Sequence, residues 1–136
     1  MDIVFLAARI LFAVIFIASG IGHFANRKQM AEYAAAMGAP APGPGVLVSG
    51  AMILAGGLMI LFGIWGDLGA LLLVAFLLPT SFIMHAFWKH EDPQMAQNEQ
   101  VSFLKNISLS GGALAFFWLF VEYGDDLPLT ITGPLF

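Results

Sequence analysis

Residues 68–88 read LGALLLVAFLLPTSFIMHAFW, a run with no Asp, Glu, Lys or Arg. A bilayer hydrocarbon core is about 30 Å thick, and a helix rising 1.5 Å per residue needs about 20 apolar residues to cross it. This stretch has that length. It also fails the test for a barrel strand, because residues 71–78 (LLLVAFLL) do not alternate between apolar and polar. In lipid every backbone polar group must be satisfied internally, so the reading is a transmembrane helix. Pro79 falls midway along it and is expected to kink it, with Thr80 and Ser81 available to the freed backbone groups.

Three further stretches of similar length and character flank this one: residues 3–22, 46–65 and 103–123. The linker Gly66-Asp67 forces the second and third spans into an antiparallel hairpin. The chain is therefore expected to be all-α, a single transmembrane domain over residues 1–136, built as an integral membrane four-helix bundle with antiparallel up-down topology. Met1-Asp2 leads directly into apolar sequence without the basic region of a secretory signal, so the first helix is read as retained.

Composition agrees. Hydrophobic residues make up 60% of the chain and charged residues 10%, against roughly 25% charged in soluble domains. A net charge of -4 with five scattered basic residues excludes nucleic acid as a partner. There is no cysteine, which removes disulfides, thiolate nucleophiles and sulfur-ligated clusters. Redox chemistry has to come from a borrowed cofactor.

Between the first two spans, residues 26–37 precede a Gly38-to-Gly45 stretch of prolines and glycines that interrupts any helix. Met30, Tyr33, Ala34 and Met37 recur at helical spacing, which fits a short interfacial helix and fits a partly structured loop equally. Residues 89–102 read as a polar loop. Arg27, Lys28, Lys89 and Lys105 lie at one end of the predicted bundle, and Asp2, Asp67, Asp125 and Asp126 at the other. The bias of basic residues towards the cytoplasm places both termini on the non-cytoplasmic side of the membrane.

Ionisable residues within spans are functional candidates by default. Arg9 lies roughly 9 Å along the first helix from Ile3; two roles suit it, a structural ion pair with Glu122 and contact with an anionic ligand or quinone head. Arg9, Phe16, Gly20 and His23 share one stripe of that helix. On the third, Ser81, His85, Trp88 and Asp92 share another, and Lys105, Asn106 and Ser110 enter the fourth at the same level. Two histidines, a tryptophan, a lysine and an asparagine thus gather in one layer. It can hold a polar head group or relay a proton, and it also fits ordinary membrane-interface composition. No metal site is expected from His23, His85, His90 and Asp92, whose spacing matches no ligand motif. Ser49, Gly56 and Gly63, seven residues apart, supply a small-residue packing face, and Gly111-Gly112 another.

These residues resemble the DoxX family of small four-helix bacterial membrane proteins. The likeness rests on Arg9 with Ser19-Gly20-Ile21 and His23, Gly56-Gly57-Leu58 followed by Gly63, His85-Ala86-Phe87-Trp88, and Phe103-Leu104-Lys105-Asn106 followed by Gly111-Gly112. It implies a membrane subunit of an oxidoreductase complex, quinone-linked or related to oxidative stress, with Arg9, His23, His85, Trp88, Lys105 and Asn106 as ligand-binding candidates. Ile53 stands where many members carry a glutamate, and Asp67 where many carry an arginine. No catalytic residue and no intrinsic cofactor is indicated; a bound quinone is the expected guest. Expected partners are the bilayer, membrane or soluble oxidoreductase subunits and further copies of the chain. An assembly scaffold, or a small-solute carrier acting as an oligomer, are the alternatives.

Overall fold

The computed structural model describes residues 1–136, which form five α-helices and no strand. The first span, α1, covers Asp2–Ala25 and α2 covers Arg27–Ala36. Then follow α3 at Pro42–Phe62, α4 at Gly66–Met84 and α5 at Pro93–Tyr123. Four of these are long and apolar enough to cross a membrane: α1, α3, α4 extended by a short 3-10 turn to Lys89, and α5 extended to Asp126.

The prolines set the ends that hydropathy misplaced. The second span was expected from residue 46, but Pro42 begins α3, because proline costs nothing at a first helical position whose N–H has no acceptor. Pro93 begins α5 in the same way, with the Asp92 carboxylate accepting from Met95 N at 3.0 Å. The expected polar loop over residues 89–102 is therefore mostly helix. At 31 residues α5 is about 46 Å long, so its polar first third projects beyond a hydrocarbon core of about 30 Å. The third span, expected to residue 88, leaves α-helical geometry at His85 and continues as the 3-10 turn Phe87–Lys89. Helix α4 runs unbroken through Pro79, and Ser81 Oγ donates to the Leu77 carbonyl at 2.7 Å. The segment after the first span forms a helix, α2.

Glycines set the seams. A Cβ on Gly20 would meet Leu54 Cβ at 2.7 Å, and one on Gly57 would meet Phe16 Cβ at 3.2 Å, so α1 and α3 pass each other in opposite directions at backbone contact. Gly56 fits against Leu73 and Gly69 against Met59, which brings α3 onto α4. With no hydrophobic drive between helices in lipid, this close approach supplies the van der Waals attraction that joins them. The expected face of Ser49, Gly56 and Gly63 divides: Gly56 packs on α4, Ser49 Oγ turns back to the Val46 carbonyl at 3.1 Å, and Gly63 caps α3 at a φ of 62°. Of the other expected pair, Gly112 receives the Phe12 ring and Gly111 faces open space. Inside lies an apolar core that includes Phe16, Ile53, Ile60, Leu73, Leu77 and Phe120.

After a 3-10 turn at Gly124–Asp126, residues 127–136 fold back as a strap over the α3–α4 connection. Ile131 N and Thr132 N each donate to the Gly63 carbonyl at 3.0 Å, and Trp65 N donates to Thr132 Oγ1 at 2.8 Å.

Candidate functional site

At the opposite end from the strap the helices diverge around a cavity of about 640 Å³. Helices α1, α3, α4 and α5 wall it, and α2 covers it with Met30, Tyr33 and Ala34. Its depth is apolar, with Phe16, Ile53 and Leu77 all buried. Polar groups collect above them: Ser19, His23, Ser49, Thr80, His85, Lys105 and Asn106. No aspartate or glutamate lines it. Apolar depth below a few polar groups is the usual make-up of a small-molecule site.

Each polar group is placed by local structure. His23 occupies the last turn of α1, where Nδ1 donates to the Ser19 carbonyl at 2.7 Å and the ring meets Phe76 edge-on at 6.0 Å. Its Cβ lies over Gly50, where a methyl group would come within 2.6 Å. His85 sits just beyond α4, and its Nδ1 is 2.7 Å from Glu99 Oε2. The other oxygen of Glu99 accepts the Tyr33 hydroxyl at 3.2 Å. One carboxylate of α5 thus ties the covering helix α2 to the cavity wall. Burial, and next the adjacent Glu99 carboxylate, push the Tyr33 phenol above its ordinary value. Asn106 is 6% exposed and lines the cavity, where its backbone carbonyl accepts the Ser110 hydroxyl at 2.8 Å.

Four of the six residues singled out from sequence, His23, His85, Lys105 and Asn106, therefore line one cavity. The other two do not. Trp88 is 54% exposed and packs on the outside against Phe82, Phe87 and Phe103, because the chain leaves the α4 register at His85. Arg9 lies towards the strap end, 1% exposed, with Nη2 donating to the Leu129 carbonyl at 2.7 Å and the guanidinium 5.1 Å from the Phe5 ring. The expected Arg9–Glu122 ion pair does not form: Glu122 is exposed, and a backbone oxygen of the strap meets the cation instead.

Three contributors escaped the sequence reading. Tyr33 and Glu99 are joined across 66 positions, which no local pattern announces. Asp67, read as a linker residue, is fully buried in the first turn of α4, and its Oδ2 accepts from Leu135 N and Phe136 N at 2.8 Å each. An aspartate at a helix start was the available signal.

The DoxX family model matches residues 4–86 of this chain. Inner membrane protein YqjF of Escherichia coli (strain K12) is 32% identical over 136 residues, covering 98% of this chain and 86% of that protein. Inner membrane protein YphA of the same organism is 27% identical over 132 residues, covering 97% and 84% respectively. No solved structure matches the chain significantly.

Proposed function

The chain belongs to the DoxX family, and from that membership we propose that it is an inner-membrane subunit whose cavity holds the head group of an isoprenoid quinone for an oxidoreductase complex. The observation that carries this reading is the cavity beneath α2, apolar in its depth and ringed by His23, His85, Lys105 and Asn106. A quinone ring with its tail needs that combination: donors for its carbonyls and hydrocarbon walls for the rest. The electron carrier comes from the partner, because cysteine is absent and no side chain here transfers electrons by itself.

In the bilayer the four long helices cross up and down. The cavity end, with Arg27, Lys28 and Lys89, faces the cytoplasm, and Asp2, Asp125 and Asp126 face outward. A fluorescent protein fused at the C-terminus should stay dark, and a bright fusion would reverse this orientation. The scaffold alternative draws less support, because Gly20, Gly50, Gly56, Gly57 and Gly69 spend their close-packing surfaces on helices of this same chain. The carrier alternative is disfavoured by the strap, which covers the end opposite the cavity.

The test is mass spectrometry of lipids retained by protein purified gently from its host membrane. Wild type should carry an isoprenoid quinone at near-stoichiometric level, and Asn106→Leu, which keeps the volume and removes the amide, should carry several-fold less. Wild-type protein free of quinone when its membranes are rich in it would refute the reading.

A further inference from the structure

The walls of the cavity are not equally tight. Between α1 and α3, a Cβ on Gly20 would meet Leu54 Cβ at 2.7 Å and one on Gly50 would meet His23 Cβ at 2.6 Å, so these helices touch at the backbone beside the polar ring. Between α4 and α5 the His85–Glu99 contact at 2.7 Å fills the seam together with Phe103, whose ring centroid lies 5.3 Å from that of Phe82 and 5.6 Å from that of Phe87. Helices α3 and α4 meet at Gly56 and Gly69, and Phe76 of α4 reaches across to the His23 ring at 6.0 Å. Above, α2 lies over the opening, tied to α5 through Tyr33 and Glu99.

The pair α1 and α5 differs. Their backbones scarcely approach each other, and what joins them is aromatic side chains in the strap half: Phe12 against Gly112 and the Phe116 ring, and Phe5 against Phe116 and Phe120. Two turns further towards the cavity, α1 offers Ser19 and α5 offers Lys105, and both line the cavity while being exposed on the outside. Ser19 stands about 9 Å short of the end of α1. That helix is about 36 Å long and crosses a hydrocarbon core of about 30 Å, so the gap beside Ser19 opens onto acyl chains rather than water. The surface around it carries the exposed apolar side chains that lipid contact requires, among them Leu11, Val14, Ile21 and Leu104. A serine and a lysine interrupt that surface on facing helices, and the lysine stem is long enough to carry its ammonium towards the head groups.

We propose that the gap between α1 and α5 is a lateral portal, through which a lipophilic guest passes from the bilayer into the cavity without crossing water. The cavity then selects by solubility before it selects by contact. An amphiphile enters head first and leaves its hydrocarbon tail between Ile15 and Leu109, which line the two sides, whereas a water-soluble solute has no path. This deepens the quinone reading: the identity of the guest rests on that reading, and the route rests on the helices alone.

The chain has no cysteine, so a single introduced thiol reports access. In lipid nanodiscs Asn106→Cys, inside the cavity, should react several-fold faster with N-phenylmaleimide than with its sulfonated counterpart, which stays in water. Adding Ser19→Trp should slow the phenyl reagent several-fold and lower the ratio of the two rates, which a general obstruction of the cavity does not do. The same addition should leave the reaction of Gly111→Cys, which faces open space on α5, unchanged. Adding Tyr33→Phe, which cuts the tie holding α2 down, should change neither rate. Leu109→Cys in the same wall repeats the test where Asn106→Cys fails to fold. Faster labelling by the sulfonated reagent, or its acceleration by Tyr33→Phe, overturns the portal and makes α2 the entrance. An unchanged ratio in Ser19→Trp overturns the assignment to α1 and α5. Lipophilic access with no quinone retained by the purified protein overturns the guest and leaves the route standing; retained quinone without lipophilic access overturns the route alone.

Discussion

Gly20→Ala and Gly22→Ala differ by two positions on one helix and should move stability in opposite directions. At Gly20 the added carbon would lie 2.7 Å from Leu54 Cβ, 3.0 Å from Leu54 N and 3.1 Å from the Gly50 carbonyl oxygen. Carbon pairs rest at about 3.5–4.0 Å, so α1 and α3 must separate by roughly 1 Å. The obstructing atoms are backbone or next to it, and no flexible side chain can swing aside. Overpacking of this kind costs typically 1–3 kcal/mol, about the scale expected here. At Gly22 nothing lies within 4 Å, so alanine should gain up to about 1 kcal/mol from helix propensity alone. Titrating detergent-solubilised protein with SDS, followed by tryptophan fluorescence, should place the midpoints in the order Gly22→Ala at or above wild type, then Gly20→Ala, separated by about 1–4 kcal/mol. Gly50→Ala should resemble Gly20→Ala and also displace His23, whose Cβ would lie 2.6 Å from the new carbon. Equal midpoints for the Gly20 and Gly22 variants would refute the claim that backbone proximity at this seam holds the bundle.

Two more predictions follow from the same kind of accounting. Asp67→Ala removes the acceptor for two strap N–H groups at 2.8 Å, each bond to a charged group being worth about 1.5–3 kcal/mol; hydrogen exchange over residues 127–136 should accelerate by at least tenfold while the helices remain protected, and unchanged exchange would show that Asp67 does not anchor the strap. Tyr33 should ionise at a higher pH than a free phenol, the difference absorbance between wild type and Tyr33→Phe giving its midpoint. Because the folded state raises this group's pKa, its contribution is complete below the unfolded phenol value and is lost as pH rises through the folded one. The α2 contact should therefore hold throughout the neutral range and loosen only in strong alkali, and loosening near neutrality would contradict the Tyr33–Glu99 geometry.

Hydropathy was enough to find the membrane-crossing helices, because lipid leaves the backbone few alternatives and the apolar blocks are long. The ends were less legible: Pro42 lay in a stretch read as interrupting any helix and Pro93 in an expected polar loop, although proline at a first helical position starts a helix. Helical register alone put His23, His85, Lys105 and Asn106 at one level, and they do share a cavity. The same register failed for Trp88, three residues further on, because the helix stops at Met84 and the next turn swings the indole outward. Arg9 was wrongly paired. Its partner is a main-chain oxygen, which leaves no trace in residue type, so a search for a compensating acid settled on Glu122. Tyr33 and Glu99 were invisible for a related reason: each looks like an ordinary surface residue until α2 folds over the mouth.

The bond between Arg9 and Leu129 also carries an order of events. The two residues are 120 positions apart, and Leu129 is translated only after all four long helices. A nascent chain must therefore hold a guanidinium in the bilayer with its eventual acceptor not yet made. The first helix has to tolerate that interval by letting the cation reach towards the head groups, then draw it inward when the strap arrives. Closure of that end is thus a late step of biogenesis, and a chain stalled before Leu129 would display an accessible arginine as the mark of an unfinished protein.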